Sequence, residues 1–123
     1  AFTVIAEEAP QSGDAKHFAI GFVVAEATRR GPGHIITIDV LPAVRRFGIG
    51  SKLLAAVEER LQNAGVTRVF LETAVDNQAA LSFYKRHDYF LVKTVPRYYS
   101  NGLDAFVLEK DLLSLAKAAN LQR

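Results

Sequence analysis

The chain has no cysteine, no methionine and no tryptophan among its 123 residues. Without cysteine there is no disulfide framework, no thiol nucleophile and no thiolate-bound metal. No apolar run approaches the roughly 18 residues a membrane span needs, which excludes a transmembrane helix. Charge of one sign is scarce as well: 15 Lys and Arg face 13 Asp and Glu, for a net charge of +2. That balance, with no block of like charges, does not point to nucleic acid. His17, His34 and His87 stand singly, without metal-ligand spacing, so no metal site is expected and all three read as structural. Half of the residues are hydrophobic and 23% are charged, a composition that excludes disorder, collagen and coiled coil.

What is present fits one domain or most of one. Ala1-Phe2-Thr3-Val4-Ile5 has no basic segment leading into an apolar one, so it is not a signal peptide. Initiator removal before a small residue is the plain reading of Ala1. A fragment lacking its N-terminal part is the sharper one.

Three apolar, β-branched runs follow one another: Phe2 to Glu7, Phe18 to Thr28 and His34 to Leu41. Pro10-Gln11-Ser12-Gly13-Asp14 and Arg30-Gly31-Pro32-Gly33 separate them, which predicts an antiparallel meander. The period then changes. Ile49, Leu53, Ala56, Val57, Leu61 and Ala64 recur at helical spacing, and Gly65 suits the C′ position that ends the helix. Val66 to Thr73 returns to strand character, and Asp76 or Asn77 can cap a short helix over Gln78 to Arg86. Tyr89 to Val95 and Asp104 to Glu109 read as the last strands, with a helical tail over Leu112 to Leu121. Helices between strands imply an α/β chain with a mixed sheet.

Arg45-Arg46-Phe47-Gly48-Ile49-Gly50-Ser51 stands between a strand and the longest helix. Glycine there lets the backbone turn tightly and approach a ligand. The first helical turn offers unpaired N–H groups and partial positive charge, suited to a pyrophosphate. A tight turn with solvated arginines explains the same residues about equally well. The segment is neither a Walker loop nor a complete dinucleotide-binding turn.

The longer run Asp39-Val40-Leu41-Pro42-Ala43-Val44 through Ser51-Lys52-Leu53-Leu54 resembles the acetyl-CoA motif of the GNAT superfamily of N-acyltransferases, Arg/Gln-x-x-Gly-x-Gly/Ala. Asn77-x-Ala79-Ala80-x-x-Phe83-Tyr84-x-x-x-Asp88-Tyr89 resembles the family's second motif. Arg97-Tyr98-Tyr99, Asp104-Ala105 and Leu108-x-Lys110-Asp111-Leu112 are similar to the protein N-terminal acetyltransferases, and most of all to the bacterial ribosomal-protein alanine N-acetyltransferases.

The resemblance implies a sheet in which two parallel strands splay apart around the pantetheine arm of acetyl-CoA, the cosubstrate. Ile38, Asp39 and Val40 would pair with that arm, and the segment with Arg45, Arg46, Phe47, Gly48, Ile49, Gly50 and Ser51 would cradle the pyrophosphate. Asn77 would touch the cofactor, Tyr84 would lie near the thioester sulfur, and Glu72 would be the general base. Tyr98 and Tyr99 would help form the acceptor groove. The implied activity is acetyl transfer to a primary amine, with a protein N-terminus preferred over a small amine. A non-catalytic acyl-CoA-binding module is the rival reading. The resemblance also implies a cytoplasmic protein with no metal, nucleic-acid or membrane partner.

Each of those residues has a plainer reading: Glu72 as a solvated carboxylate, Tyr84 as a core aromatic and Asn77 as an N-cap. Asp88 stands where relatives usually carry Gly, and Asp tolerates the left-handed conformation that position needs. The family also has a strand and two helices before the segment that starts at Ala1, so an N-terminally truncated single domain is expected. Its sheet edge would be covered by further sequence or by a partner chain, a dimer being one such arrangement.

Overall fold

The six strand-like runs are all strands in the computed structural model, which describes residues 1–8, 18–28 and 30–113. They are β1 (Phe2–Glu8), β2 (Phe18–Glu26), β3 (Gly33–Val40), β4 (Arg68–Ala74), β5 (Phe90–Val95) and β6 (Ala105–Asp111). A 3-10 turn, Pro42–Phe47, leads into helix α1 (Ile49–Asn63), and α2 (Gln78–Arg86) joins β4 to β5. The expected turn over 10–14 and the tail helix beyond Leu113 lie outside the described residues. The sheet order is β1-β2-β3-β4-β6-β5, antiparallel except for β3 beside β4.

Helix α1 forms because its apolar residues share a stripe. Leu53, Leu54, Val57 and Leu61 are buried, while Glu59 and Gln62 stay outside. Its end is a Schellman motif. The Gly65 amide donates to the Gln62 carbonyl at 3.0 Å and the Val66 amide to the Leu61 carbonyl at 3.0 Å. Gly65 takes φ +85°, which explains why glycine ends this helix.

The stripe packs on one face of the sheet, against Val23, Ile35, Val69, Leu71 and Leu108. Each Leu fully buried this way stabilises the fold by about 1.5–3 kcal/mol. Polar groups in the same layer are paired. Glu58 Oε1 accepts from Lys110 Nζ at 2.9 Å and Oε2 accepts from the Tyr89 hydroxyl at 2.7 Å. Burial first, and then the Glu58 carboxylate, push the Tyr89 phenol far above its ordinary range, so it remains a donor.

Side chains alternate across each strand, so the opposite face carries Phe70 and Glu72 of β4. On that face Ile5, Phe22 and Ile36 are exposed, an apolar surface on the open side of the meander.

Candidate active site

β4 is paired with β6 along its whole length, from Arg68 to Ala74. β3 is paired with β2 through to Val40. Between β3 and β4, however, only Gly33 with Val69 and His34 with Phe70 are in register. Each strand is held by its outer neighbour, and the two part beyond His34. The parting leaves the edge of β3 from Ile35 to Val40 without a strand partner, a row of backbone donors and acceptors facing a cleft.

That cleft has a volume of about 790 Å³, within the range of small-molecule sites. Ile38, Asp39 and Val40 line one wall, Glu72 and Thr73 of β4 a second, and Tyr84 of α2 with its N-cap Asn77 a third. The sequence-predicted turn closes one end. Arg45, Gly48, Gly50 and Ser51 all line it. Arg45 Nε donates to the Val40 carbonyl at 3.1 Å, tying the turn to the end of β3. Gly48 takes φ +71°, between the 3-10 turn and α1, a conformation that favours glycine.

Two residues of the turn stand apart from the cleft. Phe47 is 70% exposed, and Ile49 packs against the core. Arg46 belongs to the same 3-10 turn, but its side chain falls outside the described residues. Gly50 has a second reason to be small: a Cβ there would meet the Phe83 ring at 3.3 Å. Close packing of α1 against Phe83 of α2 therefore favours a small residue here, apart from any ligand.

Asn77 both lines the cleft and caps α2, its Oδ1 accepting from the Ala80 amide at 3.1 Å. Asn77→Ala is expected to cost about 1 kcal/mol of stability through the lost cap, read as a lower urea midpoint at unchanged slope. Tyr84 is buried, and its ring meets those of Phe83 and Tyr89 edge-on. Burial, with a smaller contribution from Tyr99, pushes its phenol up to about 12, so it is a protonated donor at neutral pH.

Glu72 is half-buried, and His34 Nε2 lies 2.7 Å from its Oε2. The imidazole is stacked flat on Phe70 at 4.3 Å, and its Nδ1 is 3.8 Å from Glu26 Oε1. A lone histidine gave the sequence no reason to pair it with Glu72. The pairing arises because His34 and Phe70 are neighbours in the parallel register, with Glu72 two residues further on the same face.

Glu72 also borders a second cavity of about 360 Å³, formed with Phe70, Val107 and Tyr98. Tyr98 therefore serves the second cavity and Tyr99 the first. Burial, then Tyr98, then Glu72 raise the Tyr99 phenol. Asp88, at φ +70°, adopts the expected left-handed conformation at the end of α2. Among the described residues no cluster of His, Asp or Glu could hold a metal ion, and no helix is long and apolar enough to cross a membrane.

A parted pair of parallel strands, with a glycine-hinged helix start at its mouth, is the framework of an acetyltransferase fold. Residues 2–89 match the Acetyltransferase (GNAT) family, and the chain belongs to that family. It is 42% identical over 74 residues to N-alpha-acetyltransferase 30 of Schizosaccharomyces pombe, covering 60% of this chain and 49% of that protein. The crystal structure of the NatC complex bound to Gag peptide and CoA contains a chain that superposes with a TM-score of 0.76. That chain is 32% identical, and the match covers 89% of this protein and 70% of its counterpart. The ribosomal-protein-S18-alanine N-acetyltransferase of Escherichia coli shares the fold, with a TM-score of 0.69 at 24% identity over 84% of this chain and 65% of that one. The chain spans about half the length of the first curated relatives it matches.

Proposed function

We propose that this chain carries the cofactor side and the catalytic carboxylate of an N-acetyltransferase. It would move an acetyl group from acetyl-CoA to the α-amine of a protein N-terminus. The observation that carries the reading is the position of Glu72, which borders both the parted-strand cleft and the second cavity. An amine reaching Glu72 from the second cavity would meet a thioester lying along β3.

The residues present fit acetyl-CoA. The free edge of β3 suits an extended amide-bearing arm, and the Gly48 turn with the α1 amides and Arg45 suits a pyrophosphate. In the transfer, the amine nitrogen forms the new C–N bond as the C–S bond breaks. An ammonium loses two protons on becoming an amide: one ends on the sulfur and one goes to solvent. Glu72 takes the proton released to solvent, with His34 holding the carboxylate in place.

Tyr84 donates a hydrogen bond to the departing sulfur and keeps its proton. Its phenol, raised to about 12 by burial, is a weaker acid than a thiol, so full transfer to the sulfur would be uphill. Tyr84→Phe should therefore slow turnover about tenfold, the worth of a hydrogen bond to a charged group. Acetyl-CoA affinity should stay within a few-fold. Loss of cofactor binding in that variant would make Tyr84 a packing residue.

The exposed Ile5, Phe22 and Ile36 support a second part of the proposal. That apolar face is where a partner chain would pack, and the proposed enzyme is cytoplasmic. A thiol-release assay with acetyl-CoA tests the function. Release with Ala- or Ser-started peptides but not with polyamines is the expected result. Turnover confined to polyamines would favour a small-molecule enzyme, and binding without turnover on any amine would favour a cofactor-binding module.

A further inference from the structure

Ser51 is the third residue of α1, and it lines the cleft at the point assigned to the cofactor's phosphates. Its Oγ lies 2.9 Å from His87 Nε2. His87 is the C-cap of α2, fixed by its backbone amide on the Tyr84 carbonyl at 3.0 Å and by its ring against Phe83 at 4.8 Å. Phe83 is also the ring that Gly50 approaches. One close contact between the two helices therefore holds both the head of α1 and the imidazole.

A hydroxyl has a single proton, and its direction decides what Ser51 offers a phosphate. If His87 Nε2 is bare, it accepts the Ser51 proton, and the hydroxyl turns lone pairs toward the cleft. If Nε2 carries a proton, it donates to Oγ and the Ser51 proton is free to point at an anion. We propose that His87 is a positioning residue for cofactor binding: it sets the direction of the Ser51 hydroxyl, and the phosphates select the state with a proton on Nε2. The inference rests on reading the cleft as the acetyl-CoA site and adds a dependence that reading does not contain.

A side chain that donates at this position keeps the Ser51 proton free for the phosphates, so binding of the cofactor and a proton on Nε2 favour one another. The charged residues next to His87 and Ser51 in the sequence are mostly cations, which suits a neighbouring site for an anion. Lys85 and Arg86 precede His87 in the last turn of α2, Asp88 follows it, and Lys52 follows Ser51 in α1. Among the described residues the one polar side-chain partner of His87 is Ser51.

Nitrogen-15 NMR of the imidazole in the full chain, with and without saturating CoA at one fixed pH, tests the proposal in wild type and Ser51→Ala, with His87→Phe assigning the signals. In wild type CoA should move the His87 Nε2 resonance to the position of a protonated ring nitrogen, and in Ser51→Ala it should leave that resonance unmoved. His87→Gln, whose side-chain amide can donate to the Ser51 Oγ, should keep CoA affinity within a few-fold of wild type by calorimetry. An Nε2 without a proton in the CoA complex, or the same CoA-induced change in Ser51→Ala, with melting curves showing both proteins folded, would overturn the inference alone. No CoA binding by wild type would overturn the cofactor reading on which it stands.

Discussion

Glu72→Gln should lower turnover at neutral pH by about 10²–10⁴-fold, the usual contribution of a positioned general base. The substitution isolates the chemistry. Gln has nearly the shape of Glu, and its amide oxygen can still accept from His34 Nε2, 2.7 Å from the native carboxylate. The stack of His34 on Phe70 is untouched, so the melting temperature and acetyl-CoA affinity should hold.

Raising the pH should recover only part of the loss. An α-amine titrates near 8, so moving from pH 7 to pH 9 enriches the free amine by about tenfold. The remainder reports the proton that must leave during attack. His34→Phe should cause a smaller loss, and in the Glu72→Gln background it should cause none, because His34 acts through the carboxylate. A Glu72→Gln protein with an unaltered pH profile would place the base elsewhere.

Gly48→Asp should weaken acetyl-CoA binding by about 10²–10³-fold, since a like charge brought against the pyrophosphate costs several kcal/mol. The fold should survive. A Cβ at Gly48 meets nothing within 4 Å, and its φ of +71° is one that Asp tolerates. The chain already does this at Asp88, at φ +70°. Gly50→Asp and Gly50→Val are less clean tests, because a Cβ at Gly50 presses on Phe83 at 3.3 Å and disturbs helix packing as well. A folded Gly48→Asp protein with wild-type affinity, measured by titration calorimetry, would move the phosphate site away from this turn.

Much of this architecture is legible in the sequence because local chemistry and global fold agree. The change from strand-like runs to the spacing of Leu53, Val57 and Leu61 marks α1, and Gly65 marks its end. The parting of β3 and β4 was legible only through the family resemblance, since no periodicity encodes it. It depends on β2 and β6 each holding one strand.

Contacts between distant segments were not legible. His34 and Glu72 are 38 residues apart, and only the parallel register brings them together. Ser51 and His87 are 36 residues apart and meet where the head of α1 passes the end of α2. The Glu58 pairing with Lys110 and Tyr89 likewise links three elements whose charges look solvated in the sequence. Alternation within β3 and β4 does show that His34, Phe70 and Glu72 belong to one face once the two strands are taken as neighbours.

In the proposed reaction an α-amine is acetylated where the cleft and the second cavity meet at Glu72. Mass-spectrometric mapping of the acetyl group gives the most direct test. The chain is incubated with acetyl-CoA and a peptide bearing a free α-amine and an internal Lys. A matched peptide with a blocked N-terminus serves as the comparison. The expected result is acetyl on the α-nitrogen of the first peptide, none on its Lys, no product from the blocked peptide, and near-complete loss of product with Glu72→Gln. Acetylation of Lys in both peptides, or equal product with Glu72→Gln, would contradict it.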